Sequence, residues 1–345
     1  MRGREARIQS VLQEYGALTR QALRRYLPAQ EPRRYLYDLI ADYPRRGGKM
    51  MRPSLCIATA RAFGARAEEA VRAAVSIELF HNSLLVHDDV HDESELRRGA
   101  PSLHVLHGVP LALNAGSALG MLSLFPLVEY RQLEHGLKVS VLLIEEMGRM
   151  ARESGEGQAL ELGWRRDNIV DLCDADYFEM VLKKTCWYTT IAPMRLGALI
   201  GCRDMYPEFD TLIRFGFFLG TAFQIRDDVL NLIGDERYGK EIYDDLLEGK
   251  RTLMVIHLLA NATPEERERV AAFLASPRAE RAGEPVRWVV ERMRHYGSID
   301  YAQEVANGLA GAALHEFSLL FDRLPDSRDK RFLADLVTWV LERTS

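Results

Sequence analysis

The sequence predicts an all-α protein of one domain, and three observations predict it. Apolar residues recur at three- and four-residue spacing through most of the 345 residues, strict strand-type alternation is hard to find, and Pro and Gly punctuation divides the chain into about ten helix-length segments. The breaks fall at Pro44 with Gly47 and Gly48, Gly64, Gly99 to Pro101, Gly108 to Pro110, Gly155 to Gly157, Gly201 to Pro207, Gly234 to Gly239, Pro264, Pro277, Pro285, Gly297 and Pro325. No Ser/Gly-rich or Pro-rich linker and no repeat period separates two halves, so residues 1–345 read as a single domain.

Composition narrows the class. Apolar residues at 47% and charged residues at 28% suit a globular core. Forty-five basic against 50 acidic residues give a net charge of -5, so the summed field gives no reason to expect nucleic acid or an anionic membrane as partner, and any basic site is local. Cys56, Cys173, Cys186 and Cys202 lie far apart without a CxxC pair, which argues against structural zinc and fits reduced thiols in a cytoplasmic protein. The start, MRGREARIQS, has charge but no apolar stretch behind it, so neither a secretory signal nor an anchor is expected. Val109 to Val128 has no charged residue and the length to cross a bilayer, but Pro110, Asn114, Ser117, Ser123 and Pro126 make it read as a helix buried on all sides of a soluble bundle, with no integral membrane segment expected. It is also a candidate dimer interface.

Taken along the chain, the first constellation is IELFHNSLLVHDDVHD, residues 77–92. Ile77, His81, Leu84, Asp88 and Asp92 share one helical face, apolar at its start and acidic at its end. Carboxylates near a helix C-terminus oppose the macrodipole and repel each other, so a counter-cation is expected there. Mg²⁺ suits a few monodentate carboxylates and completes its shell with water and phosphate oxygens. In FFLGTAFQIRDDVLNL, residues 217–232, a second apolar helix presents Gln224, Asp227, Asp228 and Asn231 at helical spacing. Cations stand nearby in sequence: Lys49 and Arg52 in GGKMMRP, Arg97 and Arg98, Lys184, and Lys240 and Lys250 around EIYDDLLEG. Lys and Arg together with Mg²⁺-binding carboxylates are what a diphosphate site requires.

GGKMMRP, DDVHD with ELRRGAPSLH, KKT, FQIRDD with a downstream GK, and EGKRT, in this order, resemble the trans-isoprenyl diphosphate synthase family, as does the later YGSIDYAQEVANGLAGAA. The resemblance implies an all-α bundle around a deep central cavity, usually a homodimer. It implies isopentenyl diphosphate contacts at Lys49, Arg52, His81 and Arg98, and magnesium ligands at Asp88 and Asp92, with Asp89 beside them, and at Asp227 with Asp228. Arg97, Lys184, Thr185, Gln224, Lys240 and Lys250 match contacts to the allylic diphosphate. The two motifs would hold about three Mg²⁺, the allylic diphosphate would leave, and isopentenyl diphosphate would attack the resulting cation.

Three departures stand out. Asn231 replaces a frequent third Asp, Met50 replaces a frequent Arg, and the ending LERTS has no strongly basic tail to reach isopentenyl diphosphate. A class I terpene cyclase is the competing reading, but Asp227, Asn231 and Asp235 do not make its usual second motif and GGKMMRP would be superfluous in it. A non-catalytic subunit of a heteromeric synthase would be expected to have lost the aspartates, which this chain keeps. For product length, Leu84 and Ser83 stand at the fourth and fifth positions before Asp88, where short-chain members of the resembling family carry aromatic residues. Phe80 is the next large side chain near that face, and the expected product has about 20 carbons.

Overall fold

The computed structural model describes residues 2–133, 136–202, 209–233 and 243–342; Lys240 and Asp235 lie outside the described residues. The protein is all-α: ten of its helices among the described residues run 12 residues or longer, and short helices join them. The strands among those residues are Leu96–Arg97 and Ala100–Pro101, which form one small antiparallel hairpin. The chain groups into two compact units, residues 1–150, 188–213 and 317–336 in the first, and residues 151–187, 214–316 and 337–345 in the second.

The first unit is organised by the Ala67–His91 helix, which contains no Pro or Gly and is buried without interruption from Ala73 to Leu79. Its start is fixed by Glu69, whose carboxylate accepts the Arg66 N–H at 2.7 Å, and Glu68 and Glu69 in the first turn complement the dipole. Helices Arg2–Leu23, Met51–Ala62, Val109–Leu122 and Ala192–Gly201 pack against it. Glycines set the approach of Val109–Leu122. A Cβ on Gly120 would lie 3.2 Å from the Ser83 hydroxyl, and one on Gly116 would lie 2.8 Å from the His87 ring. The Ala192–Gly201 helix comes so close to Met51–Ala62 that a Cβ on Gly197 would stand 2.3 Å from the Cys56 carbonyl oxygen. In the second unit, the Asp174–Val181 helix leads into Leu182–Ile191, whose first residues carry Lys184 and Thr185 in wide, i to i+5 bonded turns of a kind often found at functional sites.

Two readings of the punctuation are corrected. Gly155 to Gly157 is no break, because the Gly136–Arg166 helix passes straight through it. The glycine serves an approach instead: a Cβ on Gly157 would lie 2.1 Å from the Lys184 backbone nitrogen. The apolar stretch after Val109 is not buried on all sides. It breaks into Val109–Leu122 and Phe125–Val128, and Met121 and Phe125 are 66% and 58% exposed. Residues Val109–Gln132 are long and apolar enough to cross a membrane by length and composition alone, and are partly buried.

A buried ion pair ties the Gly136–Arg166 helix to Ala192–Gly201 within the first unit. Arg195 Nε and Nη2 each donate to a Glu146 oxygen at 2.6 Å, and the guanidinium also lies 4.0 Å from the Phe209 ring centroid. Arg195 is 2% exposed, so removing one partner strands a buried charge. Glu146→Ala is therefore expected to cost about 3–5 kcal/mol in denaturant unfolding, while Glu146→Leu with Arg195→Met together should cost much less. A single substitution as mild as the double would refute the stranded-charge account.

Candidate active site

In the first acidic motif Asp89 and Asp92 are buried and Asp88 is half-buried. Asp89 is fully buried, and both of its oxygens are taken: the Tyr43 hydroxyl donates to Oδ2, and Arg97 Nε donates to Oδ1 at 2.9 Å and Oδ2 at 3.2 Å. Asp88, half-buried, and Asp92, at the helix C-cap, lie one turn apart, with the Asp92 N–H on the Asp88 carbonyl at 2.8 Å. The chain then stops the helix with Glu93 at φ 54° and turns back through the hairpin, pairing Leu96 with Pro101 and Arg97 with Ala100. Arg98 at φ 54° and Gly99 at φ 76° occupy the two-residue tip, where a mirror-image turn requires positive φ at both. This tip puts Arg97 on Asp89 and lets Arg98 Nη1 donate to the Tyr43 carbonyl at 2.8 Å. Burial works to lower the Arg97 guanidinium, but Asp89 outweighs it and holds the charge firmly. Arg98 is lowered by burial first and by the neighbouring arginines, opposed by buried Glu78.

A cationic cluster stands in the same unit. Met50 enters the Met51–Ala62 helix at φ 56°, which places exposed Lys49 before the helix and Arg52 in its first turn. Arg52 Nη2 donates to Thr189 Oγ1 at 2.9 Å, Nη1 donates to His81 Nε2 at 3.3 Å, and the guanidinium lies 4.6 Å from the Tyr188 ring centroid. The His81 ring stacks on Tyr188 with centroids 5.9 Å apart. Because Nε2 accepts from Arg52, the imidazole proton is on Nδ1. Burial first, then Arg52, Arg98 and Arg97, lower His81 well below its ordinary value, so it is neutral near pH 7. Among the described residues, His81 Nδ1 and Arg52 Nε are buried and have no hydrogen-bond partner. Two unmatched donors in a field of arginines suit an anion.

In the second unit the acidic motif again sets a buried aspartate beside a half-buried one. Asp228 is buried, with Tyr177 Oη donating to Oδ2 at 2.9 Å and Gln224 Nε2 donating to Oδ1 at 2.7 Å. Burial, then the charge of Asp245, pushes its carboxyl well above the carboxylate range. Asp227 is only half-buried. Gln224 also accepts from Thr185 Oγ1 at 3.1 Å, which fastens the KKT segment to this helix. Lys184 pairs with buried Glu161, and Lys250 with Glu248 and, at 3.4 Å, Asp245. Asn231 does not act as a third carboxylate; its Oδ1 accepts the Asp245 N–H at 3.1 Å. Among the described residues no group of three His, Cys, Asp or Glu side chains is preassembled for a metal. The aspartates of the two helix ends offer hard oxygen donors, which fits a Mg²⁺ that takes its other ligands from phosphate and water.

The polyprenyl synthetase family model matches residues 33–293. The chain belongs to this family. It is 33% identical to the short chain isoprenyl diphosphate synthase of Methanothermobacter thermautotrophicus over 86% of this chain and 87% of that one. It is 32% identical to the octaprenyl diphosphate synthase of Escherichia coli over 80% and 81%. Among solved structures, the geranylgeranyl pyrophosphate synthase of Corynebacterium glutamicum, complexed with isoprenyl diphosphate and magnesium, superposes with a TM-score of 0.83 at 26% identity, covering 96% of this chain and 99% of that one. The synthase is thus a prenyltransferase with the all-α isoprenoid synthase fold.

Sequence reasoning missed Tyr43, Tyr188, Thr189, Tyr177, Glu161 and Gly157. TCWYTTI directly follows KKT, so Tyr188 and Thr189 had a signal in their place beside a motif, whereas Tyr43 and Tyr177 carry none in the sequence.

The lowered His81 carries a pH prediction. As pH falls below about 6.5, unfolded chains take up this proton before folded ones do, so the stability it contributes is full above that value and lost below it. His81→Gln should flatten part of the fall in Tm between about pH 7 and 5, the remainder including His87 and His257, which burial also lowers. Equal Tm profiles for both proteins would show that His81 titrates normally.

Proposed function

We propose that this synthase is a Mg²⁺-dependent, chain-elongating enzyme that condenses isopentenyl diphosphate with an allylic diphosphate (dimethylallyl, geranyl or farnesyl) to give a trans-prenyl diphosphate, the C20 geranylgeranyl product in particular. The observation that carries this reading is the pair of acidic helix ends, in each of which one aspartate, Asp89 or Asp228, is buried and engaged by neighbouring donors, together with the unmatched buried donors His81 Nδ1 and Arg52 Nε. Asp88, Asp92 and Asp227 are the magnesium-binding carboxylates, with about three ions expected. Asp89 and Asp228 support them from inside rather than bind metal. Magnesium, when bound, neutralises the allylic diphosphate and makes it a leaving group.

Lys49, Arg52, His81 and Arg98 hold isopentenyl diphosphate, with the neutral His81 donating from Nδ1 and Arg52 from Nε. Lys184, Thr185, Gln224, Lys240 and Lys250 serve the allylic diphosphate, and Arg97 acts with them through its hold on Asp89. The allylic carbon–oxygen bond breaks, the double bond of isopentenyl diphosphate forms the new carbon–carbon bond, and the proton it loses goes to the departing diphosphate. The one domain, residues 1–345, works as a cytoplasmic homodimer; four free cysteines and the exposed apolar face at Met121 and Phe125 support this.

The C20 reading rests on the Ala67–His91 helix. Ser83 is buried against Gly120 and Leu84 is half-buried, so neither position carries an aromatic stop. Phe80 lies eight residues before Asp88, about 12 Å along the helix, and would form the floor. Relatives named for short-chain and for octaprenyl products are about equally similar, so chromatography of the products formed from each primer with excess isopentenyl diphosphate is the deciding test. Twenty carbons are expected, shortened by Ser83→Phe and lengthened by Phe80→Ala. A native product of 15 carbons that Phe80→Ala leaves unchanged would place the floor elsewhere. Asp88→Ala and Asp227→Ala should each lower kcat/KM by about two orders of magnitude or more with helical circular dichroism intact. Full activity in excess chelator would overturn the metal assignment, and hydrocarbon release from one substrate would favour a cyclase.

A further inference from the structure

We propose that Arg251 is a positioning residue for the allylic diphosphate, acting through Lys250; this rests on the reading of Lys250 as a contact to that diphosphate. Lys250 sits between a helix that has just ended and one about to begin. The Asp244–Leu247 helix is closed by Gly249 at φ 74°, whose N–H meets the Leu246 carbonyl at 3.0 Å while the Lys250 N–H meets the Asp245 carbonyl at 2.9 Å. This paired stop is one that glycine permits without strain. Two residues later Thr252 caps the Leu253–Asn261 helix, its hydroxyl accepting the Val255 N–H at 3.4 Å. Lys250 and Arg251 alone separate the stop from the cap.

Arg251 fixes this short connection from within. It is 2% exposed, so it cannot itself touch a substrate. Its Nη1 donates to the Gly249 carbonyl, Nε to the Ile169 carbonyl at 3.2 Å and Nη2 to Asn168 Oδ1 at 2.7 Å. One planar fork thus joins the carbonyl just before Lys250 to the turn at Asn168, which is itself held by Asn168 Nδ2 donating to the Ala271 carbonyl at 3.1 Å. From the other side Arg281 Nη1 donates to the Leu247 carbonyl at 2.8 Å and crosses Gly249 so closely that a Cβ there would be 2.5 Å from it.

These acceptors are all neutral. A buried guanidinium satisfied only by amide and carbonyl oxygens is a costly way to fill space, and the burial, with Arg281 and Arg165 nearby, pulls Arg251 down to about 10. An apolar side chain would fill the same volume more favourably, so the fork's three-point geometry is the property in use. Its effect reaches Lys250 because that ammonium is held by Asp245 and Glu248, residues of the same closed turn. A shift of the Gly249 carbonyl would move the ammonium relative to the substrate.

The test is a double-mutant cycle with Arg251→Lys and Lys250→Ala, reading KM for the allylic substrate and for isopentenyl diphosphate separately, together with Tm. Arg251→Lys keeps the charge but cannot reach three acceptors. It should raise the allylic KM about fivefold or more while the isopentenyl KM stays within about twofold, and it should add less than about twofold in the Lys250→Ala background. Asn168→Gly, which suits the φ of 48° at that position and removes one acceptor, should show the same split more weakly. An equal rise in both constants, full additivity with Lys250→Ala, or wild-type constants in Arg251→Lys would each overturn the proposal. If Lys250→Ala itself leaves the allylic KM unchanged while product still forms, the reading of Lys250 falls and this inference with it. If Lys250→Ala raises it and Arg251→Lys does not, only the inference falls.

Discussion

Much of the first unit depends on the buried pairing of Asp89 with Arg97. Three carboxylates within five residues at the C-terminal end of one helix oppose both each other and the macrodipole. Neutralising the middle one from inside removes one of these charges from the repulsion, and the Tyr43 hydroxyl completes the shell of acceptors and donors. The pairing also has a geometric consequence. Arg97 reaches back to Asp89 only because the chain reverses within four residues, and that reversal puts Arg98 at the hairpin tip against the Tyr43 carbonyl. Tyr43 meets the motif twice more, through its hydroxyl, which donates to Asp89 and accepts the Leu103 N–H at 3.1 Å. One ion pair therefore orders the acidic helix end, the hairpin and the neighbouring cation together.

The second motif engages its buried aspartate with different chemistry. Asp228 faces the neutral donors Tyr177 and Gln224 instead of a guanidinium, and its proximity to Asp245 raises its carboxyl rather than fixing it as an anion. Gln224 is a bridge, since its carbonyl takes the Thr185 hydroxyl while its amide serves Asp228. This accounts for a glutamine one turn before the pair, since its amide donates from nitrogen and accepts at oxygen, which a glutamate carboxylate would not do. Asn231 fits the same logic, its amide oxygen capturing the Asp245 N–H, which a second nearby carboxylate would do at greater electrostatic cost.

Positive φ at non-glycine residues gathers beside the site residues. Met50 precedes Arg52, Glu93 follows Asp92, Arg98 is itself a site residue, and Tyr243 opens the segment that ends at Lys250. Each costs about 1 kcal/mol or more, which surrounding contacts must outweigh. In return each turns the chain abruptly, at a helix boundary for Met50, Glu93 and Tyr243 and at the hairpin tip for Arg98, so charged side chains are presented from defined backbone.

The sequence by itself determined the helical class, the two acidic helix ends and the identities of the charged residues, because helical spacing and motif order are local properties of the chain. DDVHD had to lie at a helix end. Tertiary structure alone decided which aspartate of each pair turns inward, since the sequence does not say that Tyr43 and Arg97 reach Asp89 or that Tyr177 reaches Asp228. It also decided that Gly157 serves a close approach rather than a break, and that one face of the Val109–Leu122 helix stays exposed. A glycine permits either a turn or a contact, and an apolar face is buried only if another surface meets it. Both outcomes depend on partners distant in sequence, which local pattern does not contain.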